Sequence, residues 1–205
     1  MGCFESYTAL FEFPVRTKVV RETILRQRAE DMRFHLVDRI LEIEAGKSIR
    51  AVKNLALGEE YLADHFPTFP VMPGVLMLQT LVEAASWLLR ATDDFRYSVI
   101  AVREVKGVKY GTFMDPGKQM QISVDLVERN GPLATFKGKG EANGAQTVSA
   151  RFTLGCYNLG EANTGSRLCD ERLTSELRQV YSLIRGDLLP GRNAAAIPAK
   201  VDGKV

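Results

Sequence analysis

An α+β domain, in which an antiparallel sheet wraps one long central helix, is the architecture predicted by this 205-residue chain, and three observations predict it. Two β-rich runs with a turn between them come first, one long apolar helix second, and four strand-like runs separated by turn residues last. A helix that is apolar around most of its circumference must be buried on most sides, and a sheet achieves this by curling around it. Extensions flank the unit. Residues 1–32 read as an N-terminal extension, 33–158 as the domain, and 159–205 as a linker, a C-terminal helix and a disordered tail.

Taken in order, Lys18 to Asp31 reads as a charged accessory helix whose apolar face, Val19, Val20, Ile24 and Leu25, is only partial. The runs 34–46 and 47–57 are β-rich and meet at Ala45-Gly46, a hairpin signal. The segment from about Val75 to Arg90 is long and poor in β-branched residues, which favours helix over strand. Four strands follow in 97–111, 118–131, 133–144 and 145–158, punctuated by Asp115-Pro116-Gly117, Asn130-Gly131-Pro132 and Asn143-Gly144. They read as an antiparallel meander around the helix, which is the hotdog arrangement. The stretch 161–166, EANTGS, has linker composition. After it, Leu173, Leu177, Val180, Tyr181 and Ile184 share one helical face, predicting a helix that docks on its own domain or on a partner subunit. From Gly186 onward no periodicity remains.

Composition narrows the function classes. With 45% hydrophobic and 25% charged residues and a net charge of +2, the chain reads as globular, and no Lys/Arg-rich run with interleaved aromatics points to nucleic acid. Cys3, Cys156 and Cys169 are odd in number and widely spaced, which disfavours a disulfide framework and a zinc site and suits a reduced, cytoplasmic setting. The first twenty residues hold no basic segment followed by an unbroken apolar stretch, and the one long apolar run carries Gln79 and Glu83, so neither a signal peptide nor a membrane span is expected.

The loop from His65 to Gly74, HFPTFPVMPG, joins a histidine to three prolines and delivers the chain into the central helix. Pro67, Pro70 and Pro73 each fix φ and lack an N–H, so the loop is pre-set. Gly74 brings unsubstituted backbone and the first donors of a helix close to the histidine, an arrangement that suits a polarised carbonyl oxygen or an anion. By residue type alone, His65 is equally a capped structural histidine. Within the helix Gln79, Glu83, Ser86 and Arg90 form one narrow polar stripe. Such a stripe is either a wet face or a seam whose partners come from an active site, a dimer interface or both.

His65-Phe-Pro-x-x-Pro-Val-Met-Pro-Gly-Val-Leu76 resembles the signature of the (3R)-hydroxyacyl-acyl-carrier-protein dehydratases of the FabZ type. Phe34-His-Leu-Val-Asp38-Arg39, Lys53-Asn54 and the segment Val108 to Gly117 are similar to further segments of that family, so the resemblance covers about Arg33 to Tyr157. It implies a hotdog fold and a dimer with active sites at the subunit interface, often assembled as a trimer of dimers. It also implies no metal or organic cofactor, and an acyl substrate carried on the phosphopantetheine arm of acyl-carrier protein. By the same resemblance His65 is the base for the α-proton of the thioester, and the Gly74 N–H polarises the carbonyl, with Phe66 and Val71 beside it in substrate binding. The family's glutamate, which protonates the departing β-hydroxyl, falls at position 79, where this chain has Gln79; its glutamine one turn later is here Glu83. Three outcomes follow: Glu83 serves as the acid directly or through water, Gln79 orients a water while His65 makes both proton transfers, or dehydration is lost. The resemblance therefore implies a dehydratase-like protein giving a trans-2-enoyl thioester in fatty-acid or related lipid synthesis. The alternatives are a hotdog subunit that binds an acyl thioester without dehydrating it, and a thioesterase. His35, at an apolar position of the family, reads as structural.

Overall fold

The computed structural model describes residues 35–66, 68–162 and 164–186. The readings made for residues 1–34, for Pro67, for Cys3 and for the tail beyond Gly186 lie outside the described residues. The chain divides between His35 and Leu36 into two units. Of the first, only His35, an exposed residue, is described; the second carries the sheet and both long helices.

Strands β1 (Arg39–Glu44) and β2 (Ser48–Asn54) form the predicted hairpin, closed by the Lys47 N–H donating to the Glu44 carbonyl at 2.9 Å. A single helical turn, α1 (Tyr61–Asp64), precedes the Pro-rich loop, and the central helix α2 runs over Gly74–Thr92. Strands β3 (Val99–Tyr110), β4 (Gln119–Asn130), β5 (Leu133–Ala142) and β6 (Ala145–Tyr157) follow, then the short α3 (Leu159–Ala162) and the long α4 (Arg167–Arg185).

All six strands join one antiparallel sheet in the order β1-β2-β4-β5-β6-β3. The expected meander holds for β4, β5 and β6 but not for β3, which pairs with β6 at the far edge. The turn at Asp115-Pro116-Gly117 explains the order. Its Gly117 N–H donates to the Leu55 carbonyl at 2.8 Å and the Leu55 N–H to the Lys118 carbonyl at 2.9 Å, so β4 is seated beside β2, while Gly111 and Thr112 remain bonded to Thr147 and Gln146 of β6.

The inner face of the sheet alternates with its outer face as a pleated strand must. Ile49, Met120, Ile122, Val124, Phe136, Val148, Phe152 and Leu154 point inward and are fully buried, meeting Leu81, Ala84, Ala85 and Leu88 of α2. Each such large side chain contributes about 1.5–3 kcal/mol relative to exposure, as an upper estimate. Phe136 and Phe152 are cross-strand partners with stacked rings 5.8 Å apart. Gly138 of β5 permits the close approach of the helix, because a Cβ there would stand 3.1 Å from a Leu81 methyl group.

Helix α4 docks on its own domain: Leu177, Val180, Tyr181 and Ile184 of the predicted face pack against the core. Tyr181 stacks on Trp87 at 6.0 Å and meets the edge of Phe95 at 5.4 Å, and Arg178 pairs with Asp94 at 2.8 Å. The segment read as a linker is folded instead, as α3 and a 3-10 turn at Thr164–Ser166. Asp170 is the reason. Its carboxylate accepts the Leu159 N–H at 2.9 Å, the Gly160 N–H at 2.8 Å and the Ser98 hydroxyl, tying α4 to the end of β6.

Candidate active site

His65 stands at the C-terminal end of α1, where the chain leaves helical geometry for the Pro-rich loop. Its Nδ1 lies 3.0 Å from the carbonyl oxygen of Val71 across the loop. A carbonyl can only accept, so Nδ1 carries the proton of this bond and Nε2 of the neutral ring keeps its lone pair, the form a general base requires. Phe66 sets its ring edge-on to the imidazole at 4.6 Å and adopts φ +51°, an uncommon conformation for a bulky residue. The Phe69 N–H closes a turn on the Phe66 carbonyl at 2.8 Å. Val71 is buried, and the Met72 N–H donates to the Met114 carbonyl at 2.8 Å, pinning the far side of the loop.

Helix α2 begins where Pro73 is extended at ψ 136°. Leu76 and Met77 both spend their N–H groups on the Pro73 carbonyl, at 3.0 and 3.1 Å. Among the described residues, the N–H groups of Gly74 and Val75 have no backbone carbonyl partner, so two donors and the positive end of a 19-residue helix sit on the loop that carries His65. Glycine at 74 lets the Tyr110 ring lie close over the start of the helix, since a Cβ there would stand 3.1 Å from the ring and push it outward by a few tenths of an ångström. A base with a free lone pair and donors for a developing oxyanion are together the parts needed to remove a proton next to a carbonyl.

The polar stripe of α2 divides sharply. Gln79 is exposed, about 7 Å along the axis from Gly74, with no side-chain hydrogen bond to another described residue. Glu83 lies about 6 Å further on, and both its oxygens are engaged: Oε2 accepts the Leu36 N–H at 2.7 Å and Oε1 the Trp87 indole N–H at 3.3 Å. Ser86 donates to the Val82 carbonyl at 2.8 Å. Arg90 lies over the Trp87 ring at 5.4 Å; burial pushes its guanidinium down to about 10, opposed by Cys156 and Glu83, so it stays charged at neutral pH.

Sequence reasoning missed a buried ionic group under the site. Lys53 of β2, its side chain only 3% exposed, pairs with Glu59 at 2.6 Å and with Asp38 at 3.5 Å. Asp38 also accepts the Asn54 N–H. The Tyr61 hydroxyl is buried beside the same carboxylates without a hydrogen-bond partner among the described residues; burial first, then Glu59 and Asp38, hold it well above the usual phenol range. Asp38 and Lys53 stood out as motif residues, but nothing in the spacing pointed to Glu59.

Around the loop an apolar surface stays open. Phe66, Phe69 and Phe113 are 57–62% exposed and Tyr110 is 50% exposed, with Phe69 and Phe113 edge to face at 6.0 Å. Among the described residues no three His, Cys, Asp or Glu side chains gather to hold a metal ion, and no helix is long and apolar enough to cross a membrane. Cys156 is buried and Cys169 exposed, both as free thiols.

A family model described as a FabA-like domain matches residues 29–151. The chain is 40% identical over 134 residues to the 3-hydroxyacyl-(acyl-carrier-protein) dehydratase FabZ of Albidiferax ferrireducens, across 63% of this chain and 89% of the relative. It is 39% identical over 119 residues to the FabZ of a Polaromonas species, across 56% and 81%, and 34% identical over 124 residues to that of Geobacillus thermodenitrificans, across 60% and 86%. Among solved structures, a chain of the dehydratase heterocomplex ApeI:P from Xenorhabdus doucetiae superposes with a TM-score of 0.53 at 12% identity, covering 64% of this chain and 89% of that one. At that identity the likeness is one of fold.

Proposed function

Since this chain belongs to the FabA-like family, we propose that it is a 3-hydroxyacyl-acyl-carrier-protein dehydratase, removing water from a 3-hydroxyacyl thioester to give the trans-2-enoyl thioester, with residues 33–158 as the working unit. The observation that carries this reading is the bond from His65 Nδ1 to the Val71 carbonyl, which leaves Nε2 free as a base on the same loop as the open Gly74 N–H. In this scheme Nε2 takes the α-proton, and the electron pair moves onto the thioester oxygen, held by the Gly74 N–H. The enolate then expels the β-hydroxyl, which leaves as water once it has received a proton.

Gln79 cannot supply that proton, because an amide is not an acid at neutral pH. Glu83 is a poor donor too, since its carboxylate is committed to Leu36 and Trp87. We assign the second transfer to the His65 imidazolium, which returns the proton it has just accepted, with exposed Gln79 orienting the hydroxyl or a relaying water. Phe66 and Val71 frame the acyl thioester. Losing a dedicated acid costs about 10²- to 10⁴-fold, so a slow dehydratase is expected. Turnover of 3-hydroxybutyryl or crotonyl carrier protein by the purified chain tests the reading; no hydration or dehydration above the uncatalysed rate would overturn it. Gln79 itself favours one second reading, an acyl-thioester-binding subunit without dehydratase activity, which would bind the same carrier and leave its cargo unchanged.

The exposed aromatics around the loop support a homodimer, alone or as the unit of a trimer of dimers, because a contiguous apolar surface of that kind is otherwise left in water. Light scattering at micromolar concentration should give at least a dimer, and a monomer would remove the idea. The carrier protein is acidic in this pathway, and the outer face near the site offers cations to meet it. Lys106, Arg151 and Lys137 are direct cross-strand neighbours on β3, β6 and β5, with Lys109 and Arg103 on β3 beside them and Glu104 paired to Lys106 at 2.8 Å. Like charges placed opposite one another destabilise a sheet slightly, which an anionic partner would relieve. A carrier-bound substrate and free thiols fit a cytoplasmic setting.

A further inference from the structure

The stretch from Ala56 to Asp64 has little to hold it. The Glu59 N–H reaches the Ala56 carbonyl at 3.3 Å, Leu62 and Ala63 donate to Glu59 and Glu60 at 3.0 and 3.1 Å, and α1 has no side-chain cap. Leu62 is its one fully buried side chain, with Tyr61 packing partly buried against the core beside it. Among the described residues, the sole side-chain bond from this stretch to the sheet is the 2.6 Å pair between Glu59 and Lys53. Lys53 is a fixed point, since on β2 it stands opposite Met120 of β4, is almost wholly buried, and also pairs with Asp38. His65 follows α1 directly, so the position of its ring depends on where that single turn is fastened.

We propose that Lys53 and Glu59 are positioning residues for His65: the buried ion pair fastens α1 to β2 and so sets the imidazole within reach of the Val71 carbonyl, in the tautomer that leaves Nε2 as the base. This inference rests on the dehydratase reading for its kinetic arm only. A buried ion pair retained for stability alone would change the melting temperature without touching the ring. A fastening acts on geometry, and a displacement of about 1 Å at a reacting group costs on the order of 10²-fold in rate.

Glu59→Ala is the variant to make, because Glu59 is partly exposed and its loss leaves Lys53 paired with Asp38. Glu59→Gln keeps an acceptor for Lys53 and serves as the rescue. With only two histidines in the chain, ¹⁵N spectra report each ring separately, and His65→Asn assigns them. In wild type the His65 shifts should be those of the Nδ1–H form. In Glu59→Ala they should move toward a mixture of tautomers while kcat falls by about 10- to 100-fold and KM stays within about twofold, with Glu59→Gln close to wild type on every measure. Unmoved His65 shifts in a folded Glu59→Ala protein would overturn the proposal, whatever kcat does, as would a loss confined to KM. If the wild type proves inactive, the dehydratase reading falls and the ring shifts alone still decide the fastening. Should Glu59→Ala fail to fold, the same spectra on Glu59→Asp, whose shorter arm strains the pair without removing it, take its place: shifted His65 resonances support the fastening and unmoved ones overturn it.

Discussion

The two ends of α2 are treated in opposite ways. At its C-terminal end the chain has built its own cover: Tyr181 of α4 lies on Trp87 and Phe95, Arg129 pairs with Asp93 at 2.6 Å, and Arg178 binds Asp94. At its N-terminal end Val75, Phe66, Phe69, Tyr110 and Phe113 remain open, the helix donors of Gly74 and Val75 are unspent on backbone carbonyls, and Gln79 is exposed. Burial that the chain supplies for itself marks the structural end, and burial it leaves undone marks the end to which the proposed function assigns substrate and a second subunit. Glu83 falls on the structural side of that division. Its carboxylate joins the helix to the segment ahead of β1, so one turn of helix separates exposed Gln79 from a residue holding the fold.

The largest expected effect lies at the open end. His65→Ala should lower turnover of a 3-hydroxyacyl carrier-protein substrate by about 10²- to 10⁴-fold with only a small fall in thermal midpoint from the lost bond to Val71. A variant that keeps most of the wild-type kcat would show that His65 is the capped structural histidine its loop also allows.

Next in size is the exchanged pair on α2. Gln79→Glu puts a carboxyl group where the family has its acid and should raise kcat by about 10²-fold. Glu83→Ala should act on stability instead, by about 1–3 kcal/mol, since it strands the Leu36 N–H and the Trp87 indole. Urea denaturation and steady-state kinetics on the two variants separate rate from stability. If Glu83→Gln abolished turnover in a folded protein, the two positions would have to be reassigned.

Smaller again is the effect of the outer-face cations. Reversing Lys106, Lys109 and Arg151 together should raise KM for the carrier-protein substrate several-fold at low salt, with the difference shrinking at high salt and absent for a short thioester without the carrier. Equal KM values at every ionic strength would mean that the carrier lands elsewhere.

How far these regions could be read from sequence depended on how local their causes are. The hairpin at Ala45-Gly46, the long α2 and the strands are set by runs of neighbouring residues, so periodicity and turn composition disclosed them. The displacement of β3 to the far edge was hidden, because it follows from Gly117 bonding to Leu55, a residue on the other side of the central helix in sequence, and from no pattern within β3 itself. At the site, the proline loop and its histidine were legible as a motif, and Gln79 stood out as a departure from it. The commitment of Glu83 to Leu36 was not legible, because a partner 47 residues away leaves no mark in local spacing; Lys53 beneath α1 was not legible either, because the six-residue step to Glu59 belongs to no strand or helix period. The linker reading of 161–166 failed for a different reason: Gly and Asn suit a turn as well as a tether, and the choice was made by Asp170, which binds Leu159 and Gly160 from the helix that follows.

The smallest effect tests the covered end. Asp170 is held below the usual carboxyl range by the Ser98 hydroxyl first, and then by the Gly160 and Leu159 N–H groups. A carboxyl whose value is lowered by folding stabilises the folded state above its unfolded value, near 4, and that support is lost as pH falls through the lower folded value. The docking of α4 should therefore weaken in acid, below about pH 4, while remaining flat at neutral pH. Trp87 reports it directly, being the single tryptophan of the chain and stacked on Tyr181. Asp170→Asn keeps one acceptor oxygen but turns a donor toward a backbone N–H, so its Trp87 emission at pH 7 should already shift toward the acid form, with a small fall in thermal midpoint. His65-dependent turnover should be unaffected, because the site lies at the other end of the helix. An Asp170→Asn protein that lost turnover in step with Trp87 emission would show that the two ends of α2 are coupled, and that the cover on one side is part of the machinery on the other.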